Sequence, residues 1–279
     1  MSRSTSRPLV RTSICLAAIA MIASALAACG GEDEQSLTFT ITEQGKQRKV
    51  TGPESAEAGT AEITLKNEAK GGNDLQLIRV EGDHSMQEVV DGLGKASNGQ
   101  PFPDWFFAGG GIGGTKPGES GTVTQVLQPG TYYALSTEGR PDAESVAVVE
   151  VSGEESDEEL PDADATVTAV EYGFEAEELP SGSVEIDFEN DGAQPHHLLA
   201  SQLIGDSTAA DVERFFKTEK GKPPLREENQ ATAVVEGGEG QTVTFDLKPG
   251  RYAFYCFISD RQGGPPHVLK GMVDEFEVK

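Results

Sequence analysis

Gly182-Ser-Val-Glu-Ile-Asp-Phe-Glu-Asn190 alternates apolar and polar side chains, and Gly59-Thr-Ala-Glu-Ile-Thr-Leu-Lys-Asn67 has the same pattern 123 residues earlier. Alternation with a period of two predicts a half-buried β-strand. A second matching pair, Thr122-Val-Thr-Gln-Val-Leu-Gln-Pro-Gly130 and Thr242-Val-Thr-Phe-Asp-Leu-Lys-Pro-Gly250, is 120 residues apart. Because both segments recur at nearly the same interval, we predict two copies of one β fold.

Short alternating runs separated by glycine and proline turns continue through both copies, as in residues 243–247 and 252–256. Such runs are typical of two-sheet sandwiches. Each copy is also predicted to carry one helix. In the second copy, Ser207 or Thr208 can cap a helix that extends to Lys217. In the first copy, Ser85 opens the equivalent helix, which is expected to be shortened by two glycines, Gly92 and Gly94.

An acidic stretch separates the two copies. It runs from Ser152 to Asp164 and is almost free of apolar residues; its acids are Glu154, Glu155, Asp157, Glu158, Glu159, Asp162 and Asp164. Like charges repel, so residues 153–164 are predicted to form an extended linker between a first domain, 37–152, and a second, 165–279.

The charge of the whole chain limits its partners. Its 279 residues include 47 Asp and Glu against 22 Lys and Arg, a formal charge of −25 at pH 7. Binding to nucleic acid is therefore disfavoured. A protein partner is expected to present a basic face.

The amino terminus has the layout of an export signal. Arg3, Arg7 and Arg11 precede an apolar run of 15 residues, 14–28, which is shorter than the roughly 20 residues of a membrane-spanning helix. The run ends in Leu26-Ala-Ala-Cys29, which resembles the lipobox of bacterial lipoproteins. This resemblance implies cleavage after residue 28, acylation of Cys29 and a tether over residues 29–36. The protein is then expected to be extracytoplasmic and lipid-anchored to a bacterial membrane.

Soft metal ligands collect in the second copy. After removal of Cys15 and acylation of Cys29, Cys256 is the remaining thiol; it ends the strand Gly250-Arg-Tyr-Ala-Phe-Tyr-Cys256. Ten residues later comes His267-Val-Leu-Lys-Gly-Met272, and upstream lies Asn190-Asp-Gly-Ala-Gln-Pro-His196. One thiolate, two imidazoles and a thioether form a ligand set suited to a single copper ion.

These residues resemble the cupredoxins, the blue copper family of plastocyanin and azurin. The resemblance implies eight-stranded Greek-key sandwiches, so the predicted fold class is all-β, with two tandem cupredoxin-like domains. It also implies one copper, held by His196, Cys256, His267 and Met272, and a role in one-electron transfer rather than enzymatic catalysis. The Cys-to-His loop is longer than in most of the family's electron carriers. His197 is an alternative ligand to His196, which is preferred because it follows Pro195 as in plastocyanin's Pro-His.

Two other functions are also compatible with these residues. Copper capture or delivery would be favoured by an exposed exchange site rich in Met or His. A metal-free interaction module would be favoured if the long loop keeps the ligands apart.

The first copy lacks the ligand set. Ser136 stands in the place of Cys256, and Asn73 in the place of His196. This copy is expected to bind no copper and to serve as a spacer or docking surface. Residues 109–114 match G-x-G-x-x-G, but Pro117 follows too closely for a helix, so a glycine loop is predicted. The aromatic stretch 101–107 is expected to belong to the core.

Overall fold

The computed structural model describes residues 35–45, 47–139 and 141–279. The predicted signal peptide, Cys29 and all but the last two residues of the tether lie outside this part of the chain. Neither helix within it is long and apolar enough to cross a membrane.

Both repeats are built almost entirely of strands. The first repeat contains β1 Gln35–Gln44, β2 Gln47–Thr51, β3 Ser55–Glu57, β4 Gly59–Asn67, β5 Asn73–Val80, β6 Phe106–Thr115, β7 Ser120–Leu127, β8 Gly130–Leu135 and β9 Ala147–Ser152. The second contains β10 Ala165–Val170, β11 Gly173–Ala176, β12 Gly182–Asn190, β13 Leu199–Leu203, β14 Leu225–Ala231, β15 Gly240–Leu247, β16 Gly250–Tyr255 and β17 Val273–Val278. The helices are α1, Met86–Ser97, and α2, Ala209–Thr218, with short 3₁₀ turns at Ala143–Ser145 and His267–Lys270.

Each repeat is a sandwich of two sheets, and the strand order is the same in both except that the first repeat has one additional edge strand, β3. One sheet has the order β2-β1-β4-β7 in the first repeat and β11-β10-β12-β15 in the second. The opposite sheets are β3-β9-β8-β5-β6 and β14-β13-β16-β17. In both repeats the first strand pairs in parallel with the strand that carries the quoted alternating segment. The predicted all-β class, with two tandem sandwiches that each carry a helix, is confirmed.

The two repeats share one sheet. β7 pairs antiparallel with β15, which joins four strands of each repeat into a continuous sheet of eight. Val123 lies opposite Val243 in this pair. These two valines are equivalent positions, 120 residues apart, so a local two-fold axis runs between the repeats at this point. The main core of buried residues draws on both repeats.

The residues between the repeats contain no strand or helix from 153 to 163. The amide side chain of Gln128 both donates to and accepts from the backbone of Ser156, at 2.9 and 3.1 Å. The carboxylate of Glu158 accepts from the Thr60 N–H at 2.5 Å. The stretch is therefore fastened to the first repeat, and its assignment as a domain boundary stays a prediction.

Both helices begin where capping was predicted. Ser85 and Thr208 each accept a hydrogen bond from the backbone three residues on, and the acid at that position bonds back to the cap. The expected shortening of the first helix was wrong, because α1 has 12 residues and α2 has 10. Gly92 lies against Phe106 and Pro103, where a Cβ would come within 3.2 and 3.3 Å. Close packing at Gly92 thus compensates for the low helix propensity of glycine.

The predicted glycine loop was also wrong. Residues 109–114 lie inside strand β6, and Gly110 and Gly111 have φ angles of 73° and 120°. A Cβ on Gly113 would lie 1.8 Å from the Ala231 carbonyl oxygen, so the second repeat sits directly against this strand. The glycines allow close backbone approach, Gly111 to Leu75 in the same sheet and Gly113 to Ala231 of the second repeat. The prediction that the aromatic stretch belongs to the core holds for Phe106, which is 1% exposed; Phe102 and Trp105 pack against the core partly buried, and Phe107 is half-buried.

Candidate metal centre

Three elements of the second repeat carry the predicted ligands. His196 lies in the turn between β12 and β13, Cys256 directly follows β16, and His267 opens the 3₁₀ turn before β17. Sheet pairing aligns β13 beside β16 and β16 beside β17, so the three positions meet at one end of the sandwich.

A buried asparagine shapes the turn that carries His196. The Asn190 side-chain amide donates to the carbonyls of Gln194 and Val235, at 2.9 and 3.2 Å. Val235 and His196 exchange both backbone hydrogen bonds, at 3.0 and 2.9 Å. The backbone of His196 is thereby fixed through both its N–H and its C=O.

Backbone hydrogen bonds also close the long loop between Cys256 and His267. The His267 N–H donates to Ile258 O at 2.8 Å, and the Val268 N–H donates to Cys256 O at 2.7 Å. The Met272 N–H donates to His267 O at 3.0 Å, after a left-handed Gly271 with φ of 101°. The ten-residue loop therefore does not hold Cys256 and His267 apart.

The side chains of the predicted site converge. Nδ1 of His196 and Nδ1 of His267 are 3.1 Å apart, and Sγ of Cys256 is 3.6 Å from Nδ1 of His267. One ligand atom from each of these three residues lies within 4.8 Å of the others. Metal–ligand bonds of about 2.0–2.3 Å place ligand atoms of one ion about 3–4 Å apart. His196, Cys256, His267 and Met272 are each 0% exposed.

Burial keeps the ligands uncharged in the absence of a cation. It lowers the pKa of His196 to about 3, with a further contribution from the neighbouring His267, and raises the pKa of the Cys256 thiol to about 12. It also lowers the pKa of His267, against the opposing effect of Asp260. Two neutral imidazoles and a thiol that surround one point can bind a cation. A bound cation would in turn favour deprotonation of the thiol to the thiolate.

Asp260 fixes the orientation of His267. Its Oδ1 lies 3.0 Å from Nε2 of His267, so that nitrogen carries the proton and Nδ1 presents a lone pair to Cys256. Lys270 pairs with the other carboxylate oxygen, and the Tyr172 hydroxyl donates to Oδ1 at 3.1 Å. The Tyr172 ring packs edge-on against His267 with centroids 5.4 Å apart.

His197 makes a different contact. Its Nε2 accepts the Phe257 N–H at 2.9 Å, immediately after Cys256. Burial lowers the pKa of His197 to about 4, so the ring remains a neutral acceptor at neutral pH. The converging group contains His196 and not His197.

In the first repeat, hydrogen-bonded polar side chains stand at the positions that correspond to Cys256 and His196. The Ser136 hydroxyl lies 3.2 Å from the Asn73 side-chain oxygen and 2.9 Å from Asp74. Asn67 donates to Gly71 O and Thr115 O, as Asn190 does to Gln194 O and Val235 O. The turn is thus common to both repeats, whereas the soft ligands belong to the second.

Sequence reasoning missed several residues around the site. Asp260, Tyr172 and Lys270 are common surface residue types with no distinctive spacing, so nothing in the sequence marked them. Asn190 could have been found, since it ends the alternating segment that matches Asn67 in the first repeat.

No family model matches the chain, and no curated protein matches it. Among solved structures, it is similar to reduced auracyanin from Roseiflexus castenholzii, with 24% identity over 41% of this chain and 94% of that chain, at a TM-score of 0.29. It is also similar to auracyanin A, a blue copper protein from Chloroflexus aurantiacus, with 22% identity over 41% of this chain and 96% of that one, at a TM-score of 0.28.

A third similar structure is a blue copper oxidase from Nitrosomonas europaea, with 12% identity over 88% of this chain and 86% of that one, at a TM-score of 0.25. Since every TM-score is below 0.3, the chemistry of this chain is inferred from its own side chains.

Proposed function

We propose that this protein is an extracytoplasmic, lipid-anchored electron carrier that binds one copper ion in its second repeat. His196, Cys256 and His267 would be the principal ligands, with Met272 as a weaker fourth. The observation that carries the proposal is the convergence of two Nδ1 atoms and one Sγ within 4.8 Å in a buried pocket. That donor set matches the trigonal His₂Cys sites of electron-transfer copper proteins.

The residues of the site favour rapid electron transfer. Copper, when bound, supplies a one-electron couple between its two oxidation states. Asp260 holds the His267 imidazole through a hydrogen bond at Nε2, and Val235 holds the backbone of His196 through two backbone hydrogen bonds. The buried ligands exclude water, and ligands fixed before binding need little rearrangement when the charge changes.

Copper titration of the purified full chain tests this proposal. We expect one equivalent of Cu(II) to produce an intense visible charge-transfer band from the thiolate. The band should be absent from Cys256→Ser and His196→Ala. It should be unchanged in His84→Ala, which removes a histidine of the first repeat outside the site. Reversible one-electron reduction of the bound copper would then establish the redox role.

The alternatives give different results in the same titration. Tight binding without the band would indicate copper storage or delivery, although complete burial of the four ligands disfavours rapid exchange. No binding would leave a metal-free interaction module.

Anchoring and partner choice form a separate part of the proposal. Acylation of Cys29 would place the protein on a membrane, and its negative charge, −25 for the full sequence and −28 without Arg3, Arg7 and Arg11, would favour a redox partner with a basic face. Cys29→Ser should release the protein from the membrane fraction. Electron transfer to a basic partner should slow as salt concentration rises.

A further inference from the structure

The ligand loop, defined as residues 257–266, rests on the first repeat. The Gly264 N–H donates to Gly99 O at 2.9 Å, and the Phe102 N–H donates to Arg261 O at 2.8 Å. The two backbones are in direct contact here. A Cβ on Gly99 would lie 2.7 Å from Gly264 O, and a Cβ on Gly263 would lie 2.7 Å from Gly99 O.

Arg261 fastens the middle of the ligand loop. Its guanidinium donates to Phe106 O of the first repeat at 3.1 Å and pairs with Glu236 at 2.9 Å. It also lies over the Phe107 ring, 4.9 Å from the centroid. The Arg261 side chain is 20% exposed and that of Glu236 is 13% exposed. Both charged side chains are thus well covered. Because the carbonyl and the aromatic ring that contact Arg261 belong to the first repeat, Arg261 depends on the first repeat for much of its environment.

The segment that holds His196 is tied to the first repeat as well. Val235 forms the backbone pair with His196. Its neighbour Val234 exchanges two hydrogen bonds with the Gln76 side chain, at 2.9 and 3.0 Å. On the other side, the Glu236 N–H donates to Ala108 O at 2.9 Å.

From these contacts we infer that the first repeat is a clamp. It holds the ligand loop and residues 234–236 of the second repeat, and thereby keeps Cys256, His267 and His196 in their metal-binding positions. Ten residues without strand or helix would otherwise sample many conformations. The first repeat, which lacks the soft ligands, thereby has a specific function. The length of the ligand loop is explained as well, because the loop extends far enough to contact the first repeat. The effect of the clamp on copper rests on the proposed function, whereas its effect on loop order does not.

A matched pair of glycine variants in the first repeat tests the clamp. Gly99→Ala and Gly118→Ala each place a side chain at a positive φ, 68° and 77°, but only the first meets the ligand loop. In the metal-free full chain, we expect backbone amides of residues 257–264 to exchange hydrogen at least about tenfold faster in Gly99→Ala than in Gly118→Ala.

The second readout is copper dissociation from the loaded full chain. We expect Gly99→Ala to release copper about tenfold faster or more, with Gly118→Ala close to the unmodified protein. Arg261→Gln should act like Gly99→Ala, whereas Arg251→Gln, which removes an arginine paired with Glu275 away from the loop, should not.

Equal exchange rates in Gly99→Ala and Gly118→Ala would overturn the clamp. So would faster exchange without faster copper release, because the ligands would then not depend on loop order. If the unmodified chain binds no copper, the proposed function fails, and the exchange comparison still decides whether the first repeat orders the loop.

Discussion

At the residue scale, Asp260 is the side chain that selects the tautomer of His267. Its carboxylate accepts a hydrogen bond from Nε2–H of His267 at 3.0 Å, and Lys270 and Tyr172 hold the carboxylate in place. A carboxylate on the outer nitrogen of a metal-bound histidine raises the basicity of the ligand.

Asp260→Asn should therefore weaken Cu(II) binding by about 10–100-fold, the usual effect of removing such a partner. It should also raise the reduction potential, since the site loses a negative charge that stabilises the oxidised ion. Competition titration and voltammetry measure the two effects. Asp206→Asn, at an exposed turn of the same repeat, is the control, and equal values for the two variants would contradict the role of Asp260.

The convergence of His196, Cys256 and His267 could be predicted because thiol and imidazole side chains are rare in this chain. Cys256 was the remaining thiol after the leader was assigned, and the order of His, Cys, His and Met carried the resemblance. The choice between His196 and His197 depended on a single proline, and the structure brings His196 to the converging group. Arg261 could not be chosen from among many charged residues, because its partner Phe106 is distant in sequence. Asp260 lies only seven residues before His267, but it is a common residue type in a loop without a periodic pattern, so nothing marked it.

At the element scale, strand β6 shows where local sequence signals were insufficient. Consecutive glycines predict a loop, yet here they form part of a strand. They leave room for the Gln125 side chain, whose oxygen accepts a hydrogen bond from the Gly111 N–H at 2.8 Å. They also let the strand lie against Ala231 of the second repeat. The contact is between repeats, so no local pattern could reveal it. The α1 helix was underestimated for a similar reason, since Gly92 packs on residues that follow the helix.

Neighbouring glycines of β6 give a sharp test of this packing. A Cβ at position 113 would overlap Ala231 O, whereas one at position 114 meets nothing within 4 Å. We expect Gly113→Ala to lower the free energy of unfolding by about 1–3 kcal/mol or more. Gly114→Ala should leave it nearly unchanged. Urea unfolding measures both, and equal midpoints would refute close contact at Gly113.

The cap of α2 can be tested in the same way. The sequence left Ser207 and Thr208 as alternatives, and in the structure the Thr208 side chain accepts from the Asp211 N–H. Thr208→Ala should lower the free energy of unfolding by about 1 kcal/mol. Ser207→Ala is the matched control, and a larger loss in that variant than in Thr208→Ala would reverse the assignment.

At the scale of the whole molecule, the two repeats form one body around the Val123–Val243 pair. The repeat pattern predicted two similar sandwiches, but it held no information on how they meet. Charges across this contact have consequences for stability. Glu239 of the second repeat lies 3.9 Å from Arg79 of the first, and burial raises the pKa of Glu239 to about 7 despite that arginine.

This pKa predicts a pH-dependent stability. Between the ordinary value of 4.5 and about 7, the folded protein keeps a proton on Glu239 that the unfolded chain has released. The contribution of Glu239 to the free energy of unfolding should therefore fall as pH rises through this window, while the lowered pKa values of His196 and His197 make a contribution of the opposite sign. Glu239→Gln should remove this fall, whereas Glu228→Gln, at a carboxylate that is 89% exposed, should keep it. Urea unfolding across the window measures the difference, and identical pH profiles for the two variants would contradict it.

Copper-edge X-ray absorption on the full chain loaded with one equivalent of copper would identify the copper ligands directly. We expect one short copper–sulfur bond and two copper–imidazole bonds, with the sulfur bond lost in Cys256→Ser and retained in Met86→Leu. A copper ion surrounded only by nitrogen and oxygen, or one unaffected by Cys256→Ser, would contradict a metal centre built from His196, Cys256 and His267.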